Sequence, residues 1–382
     1  MRKSNWGVAA AAMLICAACL VESANAAIDD SLSDASAPAA KPEAKEGDVV
    51  PAASAGATVV VPIPQSNPTL GTGLAVLGMY YHSQTAEEAR VQPASLTQAF
   101  GLATSNGTKI AGVAHKQYWS ADDWRFSGVA GYGHVNLDFF GIGAAAGDRD
   151  VSVRWTVDAT IAQAKLYRRL SGPWYAGLQT RYIDGNQSFA SDINGKAAEL
   201  GGLTVRAVGI GVLVERDTRD SQSNAYAGSF LQFDTMFNRR SLGGDQDYDS
   251  LRLRYRVYLP LRDDVVLAFD ADSCSKSGDV PLFDRCFLQL RGFSATRYIG
   301  RDLLSGQVEG RWNVYRRVGL VAFAGAGAVA ESVGSLNRHE SATSFGVGVR
   351  YMVLESQRIN LRVDFARGEG SSAVYLSVTE AF

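Results

Sequence analysis

Residues Leu251-Arg-Leu-Arg-Tyr-Arg-Val-Tyr258 alternate without a break, with Arg252, Arg254 and Arg256 standing between Leu251, Leu253, Tyr255 and Val257. On a helix these arginines would spread around the surface, whereas an extended strand puts them on one face and the apolar set on the other. The same period of two runs through Leu70, Thr72, Leu74, Val76 and Tyr80, and again through Trp124-Arg-Phe-Ser-Gly-Val-Ala-Gly-Tyr132. The chain is predicted to be all-β, and what remains to be found is what covers the apolar face.

A soluble sandwich would also have one dry face, but its strands are shorter, about 5–6 residues. Here the alternating runs reach ten residues or more, and aromatic pairs stand near their ends (Tyr80-Tyr81, Tyr118-Trp119, Trp174-Tyr175). Tilted strands of that length cross a bilayer. The mean hydropathy of −0.05 fits strands with one lipid face, and beyond the N-terminus no apolar run is long enough for a spanning helix. The 39 glycines against 10 prolines suit tight turns better than a helical bundle. With 37 Lys+Arg against 39 Asp+Glu, bulk positive charge for nucleic acid is lacking. The prediction is a transmembrane antiparallel β-barrel whose arginines line a wet lumen.

The N-terminus reads as an export address. Arg2 and Lys3 precede an apolar stretch from Val8 to Val21, and Ala24-Asn25-Ala26 offers small residues for cleavage, so 1–26 is expected to be a Sec signal peptide. Residues 27–57, rich in Ala, Pro, Ser, Asp, Glu and Lys, are expected to be a flexible periplasmic linker, too short for a folded module. The barrel domain is placed at 58–382. Fifteen candidate strands appear: 69–82, 94–105, 107–119, 123–137, 151–168, 173–184, 200–215, 226–239, 247–260, 263–272, 301–314, 317–330, 341–353, 357–367 and 372–382. Bacterial barrels close with an even number, so sixteen is expected, the missing strand lying within 138–168 or at Thr58–Ile63. Asn106-Gly107, Leu261–Asp264 and Tyr315–Arg317 are expected as periplasmic turns, and 273–300 as a long extracellular loop.

Four motifs in register resemble the outer-membrane surface-antigen barrels of the BamA/TamA superfamily over about residues 62–382. They are Pro62–Gly73, similar to the start of the first strand; Phe139-Phe-Gly-Ile-Gly143, similar to a family turn; Arg216-Asp-Thr-Arg-Asp220 with Gly228, similar to the periplasmic hairpin carried here by Asp217, Arg219, Asp220 and Gly228; and Leu290-Arg-Gly-Phe293, similar to the family's long-loop motif. The resemblance implies that the long loop folds into the lumen. Arg291 would then need a carboxylate there, and Glu309, on the same strand face as Gln307 and Arg311, is the candidate. The family's second acidic partner is absent, since Phe323-Ala-Gly-Ala-Gly327 carries no Asp. The last strand, with Val374, Leu376, Val378 and Phe382, resembles the insertion signal of outer-membrane proteins, departing from it at Glu380.

Removing the leader with Cys16 and Cys19 leaves Cys274 and Cys286, twelve positions apart before Leu290, and a loop-closing disulfide is expected in this oxidising compartment. His82, His115, His134 and His339 show no metal-ligand spacing, and no nucleophile elbow or Walker loop occurs, so neither metal, cofactor nor enzymatic activity is expected. Asp122-Asp123 and Asp263-Asp264 read as turn formers. The resemblance implies an outer-membrane barrel assisting insertion or translocation of proteins or lipids, working without attached POTRA modules. Its expected partners are outer-membrane lipid and lipopolysaccharide, client outer-membrane proteins and a periplasmic partner. The alternatives are a passive pore and an outer-membrane phospholipase or protease.

Overall fold

The computed structural model describes residues 56–382 apart from 149–150, 194–195, 333, 335, 337–340 and 356–357. The expected signal peptide, nearly all of the linker, and His339 lie outside the described residues. Sixteen strands close into one antiparallel barrel. They are β1 (Ala57–Asn67), β2 (Gly71–Tyr81), β3 (Leu96–Thr104), β4 (Lys109–Trp119), β5 (Trp124–Phe139), β6 (Val153–Ser171), β7 (Trp174–Ile193), β8 (Lys196–Asp217), β9 (Gly228–Asn238), β10 (Tyr248–Arg262), β11 (Val265–Gly278), β14 (Asp302–Tyr315), β15 (Val318–Ala330), β16 (Ser341–Leu354), β17 (Ile359–Gly368) and β18 (Ser371–Val378). Two short strands, β12 (Cys286–Phe287) and β13 (Ile299–Gly300), pair with each other inside the loop between β11 and β14. Each wall strand pairs with its sequence neighbour, and β1 meets β18 to close the ring.

The strand missing from the sequence count is β1, whose Pro62 and Pro64 hide its alternation. Because the extra strand precedes Thr69 rather than lying within 138–168, one of the expected periplasmic turns falls at the other end of the barrel. Strand parity puts Asn106-Gly107, between β3 and β4, at the end that carries the long loop, whereas the turns at 263–264 and 316–317 share the end where β1 begins and β18 stops. The former is called the loop end below, the latter the terminal end.

The outward face is apolar over the height of a bilayer. On β6, Thr160, Ala162, Ala164 and Leu166 lie between Asp158 and Arg168, and on β8, Val208, Ile210, Val212 and Val214 lie between Arg206 and Arg216. About ten residues of tilted strand separate these charges, as a membrane crossing requires. On β10, Leu251, Leu253 and Tyr255 are exposed outward, while Arg252 and Arg256 turn inward to Asp272 and Asp270 of β11 at 2.9 and 2.8 Å.

The lumen departs from the wet channel expected from the arginines. Along β1–β8 it is lined by a buried apolar cluster that includes Leu77, Phe100, Leu137, Trp155, Ile161, Ile183 and Val205, completed by Val280, Leu282, Phe283, Phe287 and Ile299 of the long loop. Along β10–β18 it is charged. Alternation cannot separate the two cases, because the inward residues of either type obey the same period.

Candidate functional site

The long loop, 279–301, enters the barrel and packs against its wall. Its tip carries Arg291, 7% exposed, between two buried carboxylates: Arg291 Nη2 lies 2.6 Å from Glu309 Oε2 on β14, and Nη1 donates to Asp364 Oδ2 on β17 at 3.0 Å. The guanidinium also stacks 3.4 Å above the Phe323 ring. Glu309 accepts from Arg311 at 2.7 Å, and Asp364 accepts from Arg350 at 2.5 Å. Arg350 in turn donates to Glu380 at 2.6 Å, and Asn360 binds the other oxygen of Glu380 at 2.6 Å. Arg291 thus lies between Glu309 of β14 and a second carboxylate, Asp364 of β17. Neither Asp364 nor Glu380 belongs to a sequence motif; their only signal is an inward position on a strand. Gly325 and Gly327 of β15 leave the wall bare where Leu290 and Leu288 press on it; a Cβ at Gly325 would stand 3.0 Å from Leu290. Gly292 has φ +107°, and a Cβ there would come within 3.0 Å of the Gly368 nitrogen on β17.

The loop's stem is held by a second, inverted anchor. Here the carboxylate is on the loop and the cations are on the wall. Asp284 accepts from Lys276 Nζ of β11 at 2.9 Å and from Tyr248 of β10 at 2.8 Å, and is ion-paired with Arg181 of β7. Burial favours the neutral acid, but Arg181 and Lys276 outweigh it and hold the Asp284 carboxyl well below the usual carboxylate range. Two residues on, Cys286 is bonded to Cys274 with Cα atoms 6.0 Å apart. Cys274 lies not in the loop, as expected from the sequence, but on β11, which runs six residues beyond its predicted end. The disulfide thus ties the loop to the barrel wall. Sequence spacing brought the two cysteines to notice; it could not show on which side of the strand boundary Cys274 falls.

The terminal end is also covered. The hairpin motif folds on itself, with Arg219 paired to Asp217 at 2.7 Å and Asp220 Oδ1 accepting the Tyr226 N–H at 2.9 Å. Gly228 has φ +98°, packed against the Thr218 backbone. Asp220 then reaches Arg358, in the β16–β17 link, at 2.7 Å. Val374, Leu376 and Val378 alternate along β18, but the strand stops at Val378. Thr379 takes φ +70°, Glu380 turns to Arg350 and Asn360, and Phe382 packs beside Tyr226 and Tyr258 rather than continuing the wall. The main-chain oxygen of Phe382 accepts from Arg311 at 2.8 Å.

This inward turn leaves the closing seam sparse. β1 and β18 share one residue pair in register, Ser66 at the loop-end tip of β1 with Leu376 two residues before β18 stops, whereas β17 and β18 share eight. From Ala57 to Gln65, β1 has no such partner on its outer edge. Pro62 and Pro64 lie in this stretch, and prolines, lacking an N–H, blunt an open edge.

The remaining sequence candidates fall outside this constellation. Asp122 is a turn residue with φ +65° that also gathers Arg125, Arg169 and Tyr175, the two arginines at 2.6 and 2.8 Å. Asp264 caps its turn by accepting from Trp312 at 2.9 Å. His82 and His115 are bridged by Thr97 on the outer face, 2.9 Å from each ring. The Phe139–Gly143 turn receives the loop, the Gly143 N–H donating to Ile299 at 2.8 Å.

Among solved structures, the chain resembles BamA from Haemophilus ducreyi lacking POTRA domains 1–3, at 12% identity and a TM-score of 0.59 over 84% of this chain and 70% of that one. It also resembles CdiB from Acinetobacter baumannii (12%, 0.54, 85% and 59%) and CdiB from Escherichia coli (10%, 0.56, 84% and 62%). The chain thus spans about three fifths of the length of the CdiB proteins. No curated protein sequence matches it. Residues 111–368, more than half of the chain and the stretch that holds the Arg291 anchor, match the Omp85 superfamily domain, and the chain belongs to that superfamily.

Proposed function

We propose that this barrel assists the insertion or passage of proteins at the outer membrane, and that the β1–β18 seam is its working part. The observation that carries the reading is the seam itself, with one residue pair in register beside a nine-residue stretch of β1 edge, 57–65. Exposed strand edges pair with incoming strands, so an opened seam would offer a template to a folding client. The interior favours this over a steady pore, because the loop fills one end and the 218–227 hairpin with the inturned tail covers the other. In this reading residues 1–26 direct export, 27–57 link to the barrel, and Leu290–Phe293 with Glu309 hold the loop. Val374, Leu376, Val378 and Phe382 would serve the barrel's own insertion, and the surrounding partners are outer-membrane lipid, lipopolysaccharide, client barrels and a periplasmic delivery protein. The test is reconstitution into liposomes followed by addition of an urea-unfolded outer-membrane barrel. The expected result is faster acquisition of heat-modifiable client than in empty liposomes; equal rates would reject the reading.

A further inference from the structure

The loop tip and the seam meet at the loop end, where the tip holds both sides of the closure. On the β18 side, the Gly292 N–H donates to the Tyr375 hydroxyl at 2.8 Å, that hydroxyl donates to Phe293 O at 3.3 Å, and the Ser371 hydroxyl donates to Gly292 O. On the β1 side, the Ala295 N–H donates to Thr69 Oγ1 at 2.8 Å. Thr69 lies in the turn from β1 to β2, which is itself fixed by Asn67 Oδ1 accepting the Thr69 and Leu70 N–H groups at 3.0 and 2.9 Å. Only Phe293 and Ser294 separate the two attachment points. Three residue steps span at most about 11 Å, or roughly two inter-strand spacings.

We propose that residues 292–295 are an internal strap across the β1–β18 seam, deepening the functional reading above by assigning what holds the seam shut. The strap and the Ser66–Leu376 pair both meet β1 at or just beyond its loop-end tip, and the 57–65 stretch of β1 has neither. The stem of the loop is fixed by the Cys274–Cys286 disulfide and the Asp284 anchor, whereas the tip is held by non-covalent contacts alone. With the tip docked, the seam can part only as a wedge from the terminal end. With the tip withdrawn, the loop end is free to part as well.

Spin-label distances in the mature protein test this without any client. Labels go on Leu74→Cys of β2 and Phe365→Cys of β17, both outward and exposed, with Cys274 and Cys286 left in their disulfide. Two strap variants leave the Arg291 ion pairs in place: Ser371→Ala with Tyr375→Phe on the β18 side, and Thr69→Val on the β1 side. The parent should give one narrow distribution. Each variant that keeps its heat-modifiable fold should gain a population longer by about one inter-strand spacing, ~5 Å. A distribution unchanged in either folded variant overturns the strap. The milder Thr69→Val change retains the decision if the double variant does not fold. A seam that widens with no change in client insertion would sink the insertion reading and keep the strap, while an unchanged seam with normal insertion would do the reverse.

Discussion

Arg291, Arg311, Arg350 and Arg362 face three side-chain carboxylates in the lumen, Glu309, Asp364 and Glu380. The two partners of the loop anchor are therefore unequal. Removing the Arg291 side chain leaves three guanidiniums facing three carboxylates, and Glu309 and Asp364 each keep another arginine within 2.7 Å. Removing Glu309 leaves four guanidiniums with two carboxylates in a buried site, where stranded charge is costly. From the motif alone the two changes look equivalent, each breaking a single pair. With the network in view, Arg291→Ala should cost about 1–3 kcal/mol, the range for lost charge-assisted hydrogen bonds. Glu309→Ala should cost about 3–5 kcal/mol, the range for breaking a buried pair. Urea unfolding of both variants in detergent checks this, and equal losses would show that Glu309 serves Arg291 alone. Arg291 and Glu309 were legible because a short motif and strand parity point to them. Asp364 and Glu380 were not, because a carboxylate on an inward strand position has no local signature, and its partners lie 73 and 30 residues away in sequence.

At the scale of elements, the loop is a hairpin with an anchored stem and a docked tip, and acid tests the stem. The Asp284 carboxyl is depressed in the folded state, so its contribution is present above the ordinary aspartate range and is lost only as pH falls through the lower folded value. The difference in thermal stability between the parent and Asp284→Asn should therefore be constant from pH 8 to about pH 5 and shrink only below about pH 4. A difference that fades between pH 8 and 6 would show another group controls the stem. Most wall strands could be read directly, because one exposed apolar face enforces a period of two. β1 could not, since its Val59, Val60 and Val61 run without alternation and the prolines follow. The far end of β11 was missed for another reason. Ser273, Ser275 and Ser277 face outward beyond the lipid band, where water tolerates small polar residues and the alternation fades.

For the whole molecule, a barrel closed at both ends should conduct little. In planar bilayers the parent should show a low resting conductance, and replacing 288–298 with a short Gly-Ser link should raise it several-fold while the heat-modifiable barrel persists. A parent that already conducts steadily would contradict the plugged interior. Architecture was legible from the sequence as a membrane barrel of sixteen strands, but the contents of its lumen were not, because inward residues do not reveal whether water or a distant segment faces them. That hidden feature bears on how the chain is made. The apolar inner face of β1–β8 is completed by Val280, Leu282, Phe283, Phe287 and Ile299, residues that follow β8 by more than sixty positions. Until those arrive, the first half of the barrel has an apolar surface on both sides and no core of its own. Folding should then be late and cooperative, set by long-range contacts rather than by hairpins zipping in order. During export the first eight strands would be the segment most in need of a chaperone.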